Sequence, residues 1–232
     1  MSIDDLRVVD LTQPLHPDVV MWPGVPGPLF ETLVNVVPDG FYSRRVTFAE
    51  HTATHFDAPA HMVEGTAFLH QVDPATLIRP VVVIDISDEL AGDADGILTL
   101  EQVTAFETAN GRIPHAAAVF LRTGWEAFNT DPLRYAGAPG DLRFPGFGPD
   151  AARFLVEERG AVGLGVDTLG IDPGNASDFV VHRQVSLLRG VWHLEGLQNL
   201  AALPPIGAWV FVGVLNLVDG SGSPARVLAL VP

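Results

Sequence analysis

The sequence predicts an α/β domain, and three observations point there. Short apolar runs rich in Val, Ile and Phe recur along the whole chain, each of strand length. A few segments between them carry helix start and stop signals. The 232 residues are 47% hydrophobic and only 18% charged, so a sizeable core is available to one large domain or to two lobes sharing a core.

The strands are expected at Arg7–Leu11, Leu33–Val37, Arg44–Glu50, Pro80–Ile86, Ala117–Arg122, Val162–Asp167, Val191–Leu194, Trp209–Leu215 and Arg226–Val231. Thr99 N-caps a helix over Leu100–Ala109, with Gln102 completing a partial capping box. A second helix, Asp150–Arg159, follows Pro149, carries apolar Phe154, Leu155 and Val156, and stops near Gly160. A third apolar segment, Phe179–Leu188, ends near Gly190. Strands mixed with helices in this way indicate α/β. Gly and Pro, 23 and 19 in number, gather in loops such as Pro23–Pro28 and Arg134–Pro149. Loops of that length inside a compact domain tend to be functional.

The formal net charge of -15 argues against nucleic acid or an anionic membrane as partner, since both require a basic face. With no cysteine, thiolate metal sites, disulfides and cysteine nucleophiles are excluded. The first residues, Met1 to Leu6, are acidic and do not read as a signal peptide. No apolar stretch approaches the roughly 18 residues of a membrane span. A soluble cytoplasmic protein acting on a small molecule is the expectation.

The richest stretch is His51-Thr52-Ala53-Thr54-His55-Phe56-Asp57-Ala58-Pro59-Ala60-His61, which holds three of the eight histidines and an aspartate. Imidazole and carboxylate are the donors that Zn, Mn and Fe accept. A further histidine beside them can move protons. An ideal strand puts all four residues on one face but holds His51 and His55 about 13 Å apart, too far for one ion. The segment must therefore bend after a strand ending near Glu50, and Pro59 resists both a helix and a central strand.

This segment resembles the H-x-G-T-H-x-D-x-P-x-H signature of the cyclase family of metal-dependent hydrolases, which includes bacterial kynurenine formamidases and isatin hydrolases. One position departs: Ala53 stands where the family usually has Gly, which tolerates positive φ. Val9–Leu15, Met21–Gly24, Leu121–Trp125, Val166–Thr168, His182-Arg183, Leu194–Leu200 and Ser223–Arg226 resemble further family segments, although Val25 replaces a customary acid. The resemblance implies a single domain over residues 1–232, a swivelling β/β/α-type α/β fold with a curved, partly barrel-like mixed sheet. It also implies a homodimer or homotetramer.

By position, the resemblance implies that His51, His55 and Asp57 hold a first metal. Asp57 would bridge to a second held by His182, with Glu195 reaching one or both and His61 as general acid/base. Trp22 would pack on an aromatic substrate. His193, two residues before Glu195, shares its face if that segment is a strand, and stands either as a ligand or as a group supporting one. Asp167 is read as a loop cap, and Arg122 and Trp125 as structural; His16, His70 and His115 have no supporting neighbours. The implied cofactor is one or two divalent ions per chain. Kynurenine formamidases of the family use Zn and its isatin hydrolases Mn, and an acid at Glu195 favours the formamidase-like two-metal arrangement.

The expected activity is hydrolysis of a small amide by metal-activated water, first an aryl formamide such as N-formylkynurenine. The alternatives are a cyclic amide of the isatin type, and an inactive metal-binding or assembly protein of the same fold. Departures at Ala53 and Val25 favour the last; the full ligand set and His61 oppose it.

Overall fold

In a computed structural model, which describes residues 5–232, nine strands form one curled mixed sheet. Their order across the sheet is Arg7–Asp10, Arg226–Val231, Ala208–Gly213, Ile78–Asp85, Ala118–Arg122, Gly163–Val166, Trp192–Glu195, His55–Asp57 and Gly222–Pro224. The four strands from Ile78–Asp85 to Trp192–Glu195 run parallel. Antiparallel strands flank them on both sides.

The parallel strands read as continuous apolar runs because both of their faces are covered. Side chains alternate along them. Val81, Val83, Ala118 and Phe120 enter one core. Val82, Ile84, Val119 and Leu121 enter a second core, which Val103, Ala151, Leu155, Val181 and Val185 complete from the helical side. The first core also takes Val9, Val210 and Val227 from one flank of the sheet, Phe56 from the other, and Leu194 from the last parallel strand. Both flanks therefore curl over one shared interior, giving a half-barrel.

The Leu100–Asn110 helix has its expected cap. Thr99 Oγ1 accepts the Gln102 N–H at 3.2 Å and Gln102 Oε1 accepts the Thr99 N–H at 2.9 Å. The second helix is α-helical over Pro149–Arg153 and widens into a π turn over Phe154–Glu158. The third is a π turn, Val181–Ser186, closed by a 3₁₀ turn at Leu187–Arg189. The strand expected at Leu33–Val37 lies earlier, at Leu29–Val34, in a hairpin with Ser43–Thr47. Pro38 lacks the N–H a longer strand would need, and the chain turns through Val36–Asp39 instead. The strand expected up to Glu50 ends at Thr47. Among the described residues no helix is long and apolar enough to cross a membrane.

Candidate metal centre

The three-residue strand His55–Asp57 pairs antiparallel with Trp192–Glu195: His193 faces Asp57, Leu194 faces Phe56 and Glu195 faces His55. Side chains two apart share a face. Four potential donors, His55, Asp57, His193 and Glu195, therefore stand as a square on one side of the sheet. Phe56, Trp192 and Leu194 point the other way into the core, where the Phe56 and Trp192 rings lie 5.5 Å apart. Such an aromatic pair contributes about 0.5–1.5 kcal/mol beyond its buried area. The apolar side of these strands thus fixes the register of the polar side.

His51 reaches the square because the chain bends between the two histidines, as the spacing required. Ala53 takes the left-handed conformation, φ 56°, and the His51 and His55 rings come to 5.3 Å. Ala53, standing where the resembled signature has Gly, therefore adopts the backbone that Gly would favour, at a cost of about 1–2 kcal/mol. Two glycines make the bend possible. A side chain at Gly196 would meet the Ala53 carbonyl oxygen at 2.8 Å, and one at Gly222 would meet the His51 ring at 2.6 Å.

Hydrogen bonds on the outer side of each ring decide what faces inward. His55 Nδ1 donates to the Ala53 carbonyl at 2.9 Å, which leaves Nε2 3.4 Å from Asp57 Oδ1 and 3.3 Å from Glu195 Oε2. His182 Nδ1 donates to Asp172 Oδ2 at 2.6 Å, which leaves Nε2 3.2 Å from Glu195 Oε1 and 3.6 Å from Asp57 Oδ2. Asp172 also accepts the Val181 and His182 backbone N–H groups, so it orients both the turn and the ring. Ser221 donates its proton to Glu50, and its oxygen accepts from His51 Nε2 at 2.9 Å. His51 Nδ1 then lies 2.6 Å from Asp57 Oδ1.

Imidazole lone pairs and carboxylate oxygens thus converge, acceptor against acceptor. Something positive must lie between them. Without an ion, protons serve. Burial alone would push the His55 pKa down, but the Glu195 hydrogen bond and the charges of Asp57 and Glu195 outweigh it and carry it to about 9. His182 is raised well above its ordinary value against the same burial penalty, through Asp172, Asp57 and Glu195. Glu195, despite burial and the nearby Asp57 charge, is held down to about 2 by His182 and His55.

A divalent cation replaces such protons. Tetrahedral sites with bonds of 2.0–2.1 Å have donor–donor edges of about 3.3 Å; the facing donors of His55, His182 and His193 lie 3.2–3.7 Å from the carboxylate oxygens, and His51 Nδ1 lies closer, 2.6 Å from Asp57 Oδ1. Two groups of donors can hold an ion: Asp57, His182, His193 and Glu195, all buried, and His51, Asp57 and His61, more open. Asp57 Oδ1 faces His51 and His55 while Oδ2 faces His182 and His193, and Glu195 divides its oxygens between His55 and His182. The residues present fit a divalent cation in either group, with Asp57 common to both.

A pocket of about 300 Å³ opens onto this floor. Its walls include Val20, Trp22, Val25, Leu169 and Phe179, with His51, His55, His61, His182 and Glu195 below. The Trp22 ring lies 6.1 Å from Phe179 and 6.3 Å from Phe144. His61 stacks on His51 with centroids 3.9 Å apart. Burial, reinforced by the neighbouring His51 and His182, lowers its pKa to about 4 and keeps it neutral.

All seven site residues singled out from sequence, Trp22, His51, His55, Asp57, His61, His182 and Glu195, are gathered at this pocket. Asp172, Ser186, Ser221 and Phe179 join them unanticipated. Their only sequence signal is nearness to His182, His193 or the closing strand. Asp167 stays apart, accepting from Thr123 Oγ1 at 2.6 Å and Gly124 N at 2.8 Å. Arg122 pairs with Asp85.

Residues 9–173 match the Cyclase family model. The chain is 35% identical over 200 residues to an isatin hydrolase of Roseibium aggregatum, covering 81% of this chain and 74% of that protein. It is 27% identical over 231 residues to a kynurenine formamidase of Bacillus mycoides, covering 95% of each. Its fold matches the crystal structure of an isatin hydrolase bound to the product analogue thioisatinate with a TM-score of 0.93 at 32% identity, covering 99% of this chain and 94% of that one.

Proposed function

The chain belongs to the cyclase family of metal-dependent hydrolases, and from that membership we propose that it opens a small, uncharged cyclic amide of the isatin type. The observation that carries the choice of substrate is the pocket lining. It has aromatic and aliphatic walls and includes no Lys or Arg. N-formylkynurenine bears a carboxylate that such a wall leaves without a cationic partner. An aryl formamide, ranked first on the sequence, is therefore the second reading, supported by the kynurenine formamidase relatives. A volume of about 300 Å³ is at the small end for ligand pockets and suits a bicyclic ring.

In this reading His51, His55 and Asp57 would hold one divalent ion, and Asp57, His182 and Glu195 would hold a second. Zn and Mn both suit nitrogen and oxygen donors. The chemistry a bound ion supplies is a water pKa lowered to roughly 7 and a polarised amide carbonyl. Trp22 and Phe179 clamp the aromatic ring and aim its amide at the ligand face. Val25 keeps that wall apolar. His61, neutral and at the pocket wall, accepts the proton of the attacking water. It then returns that proton to the amide nitrogen as the ring C–N bond breaks, leaving an amine and a carboxylic acid, whose own proton passes to solvent to give the carboxylate.

The test is turnover of isatin and of N-formylkynurenine by protein loaded with Zn or with Mn. Isatin opening with weak or no deformylation is the expected result. Deformylation without ring opening would overturn the choice of substrate, and no turnover of either compound would overturn the amide reading.

A further inference from the structure

Two buried polar atoms at the rear of the centre have no hydrogen-bond partner: Asp57 Oδ2 and His193 Nδ1. Their side chains are 1% and 0% exposed, and the atoms face each other at 3.7 Å. An unsatisfied buried acceptor is costly, and two pointed at one another are more so.

The protonation of His193 follows from its other nitrogen. Nε2 lies 2.6 Å from Ser186 Oγ. Ser186 has one proton, and the carbonyl of Val181, 2.6 Å from the same oxygen, can only accept. The serine therefore donates to Val181 and accepts from His193 Nε2–H. That fixes a bare lone pair on Nδ1, directed at a bare carboxylate oxygen. The His182 ring lies edge-on to His193 with centroids 4.6 Å apart, and its Nε2 lies 3.6 Å from the same oxygen of Asp57.

We propose that His193 is a fourth protein ligand to the rear ion, through Nδ1, and that Ser186 is the residue that positions its ring. With Asp57, His182 and Glu195 it forms a closed set of four residues, one donor atom from each lying within 4.8 Å of the others; His182 Nε2 is 3.6 Å from Asp57 Oδ2 and 3.2 Å from Glu195 Oε1. This rests on the reading of the centre as an ion pair and adds an asymmetry to it. Sites with four protein ligands leave no position for water, whereas catalytic sites keep one open. The rear ion is then a retained, structural one. The front ion, held by His51, His55 and Asp57 beside His61, keeps its open position towards the pocket and exchanges more readily.

The experiment is removal of Zn from the loaded protein by a chromophoric chelator, read as ions retained per chain by elemental analysis. Co(II)-loaded protein is read in parallel by its visible absorption. Wild-type protein is expected to give up one ion quickly and keep the other, whose Co(II) form shows a four-coordinate spectrum. His193→Ala is expected to lose both at the same chelator concentration and to lose that spectrum. Ser186→Ala, which keeps the ring but frees its orientation, is expected to weaken the retained ion about 10–100-fold. A folded His193→Ala protein that holds the second ion as tightly as wild type overturns the proposal. Should that variant not fold, unchanged affinity in Ser186→Ala overturns it instead. Failure to open isatin with the two-step ion release intact refutes the substrate and leaves His193 as a ligand; failure to load any ion refutes both.

Discussion

At the floor of the centre four histidines each have a second, outward contact that fixes the ring: Ala53 for His55, Asp172 for His182, Ser221 for His51 and Ser186 for His193. The mouth is different. Trp22, Val25 and Phe179 stand outside the main sheet, and the Trp22 ring meets Phe144 edge-on and Phe179 at a tilt. The floor needs donors held to a few tenths of an ångström, and only strands and directed hydrogen bonds give that. The mouth needs a shape that excludes water and admits a ring, which apolar contacts supply without fixed direction. Changes at the floor should therefore alter ion binding and chemistry, and changes at the mouth should alter substrate affinity.

The sharpest way to break that division is His61, which touches both regions. In His61→Ala, kcat should fall by about 10²–10⁴ with the number of bound ions unchanged. A loss of ions measured by elemental analysis would move His61 into the floor.

The next effect in size is pH. In the metal-free protein the His55 pKa is about 9, above its ordinary 6.5. The stability this proton brings is fully present below pH 6.5 and is lost as pH rises through 9. Metal-free protein should thus melt at progressively lower temperature between those values, while loaded protein should not. Ion affinity should run the opposite way, rising by up to about tenfold per pH unit for each proton displaced. Competition titrations at pH 6.5 and 8.5 with equal affinities would contradict the proton-for-ion exchange.

A smaller effect belongs to the mouth alone. Trp22→Ala should raise KM about five- to tenfold, the equivalent of one lost aromatic contact of roughly 1 kcal/mol, and leave kcat nearly as it was. A drop in kcat with KM unchanged would make Trp22 part of the chemistry.

The smallest effect is on the bend. Ala53→Gly relieves about 1–2 kcal/mol of left-handed strain but adds freedom to the unfolded chain. The net gain should be about 0.5–1 kcal/mol, a melting temperature roughly 2 °C higher with activity kept. A lower melting temperature would mean that the Ala53 methyl group packs better than its backbone suffers.

Much of this was legible in the sequence. The Thr99–Gln102 box acts within four residues, so it could be read locally, and so could the Val runs of the parallel strands. Four of the seven residues singled out lie within the eleven-position signature, and Trp22, His182 and Glu195 came from resembling segments elsewhere in the chain. The His55–Asp57 strand was not: three residues carry no periodicity, and its partners lie far along the chain at Trp192–Glu195 and Gly222–Pro224. His193 could be seen two positions before Glu195, but its role depends on Ser186, which a π turn brings to its far nitrogen. Asp172 had only its nearness to His182 as a signal, since its part is set by the turn that carries that histidine. The widening of both later helices into π turns likewise depends on what they pack against.

The sheet beneath the centre has a consequence for how this site can change over time. One pair of strands carries the donors on its upper side and Phe56, Trp192 and Leu194 on its lower side. A slip of one residue in that pairing would bury the carboxylates among hydrocarbon and lift the aromatic rings into the pocket, so misregistered chains cannot fold stably. The geometry of the donors is therefore inherited from the hydrophobic alternation itself. A lineage can exchange its substrate walls freely, but it can retune the floor only by replacing side chains in place, never by shifting the strands that bear them.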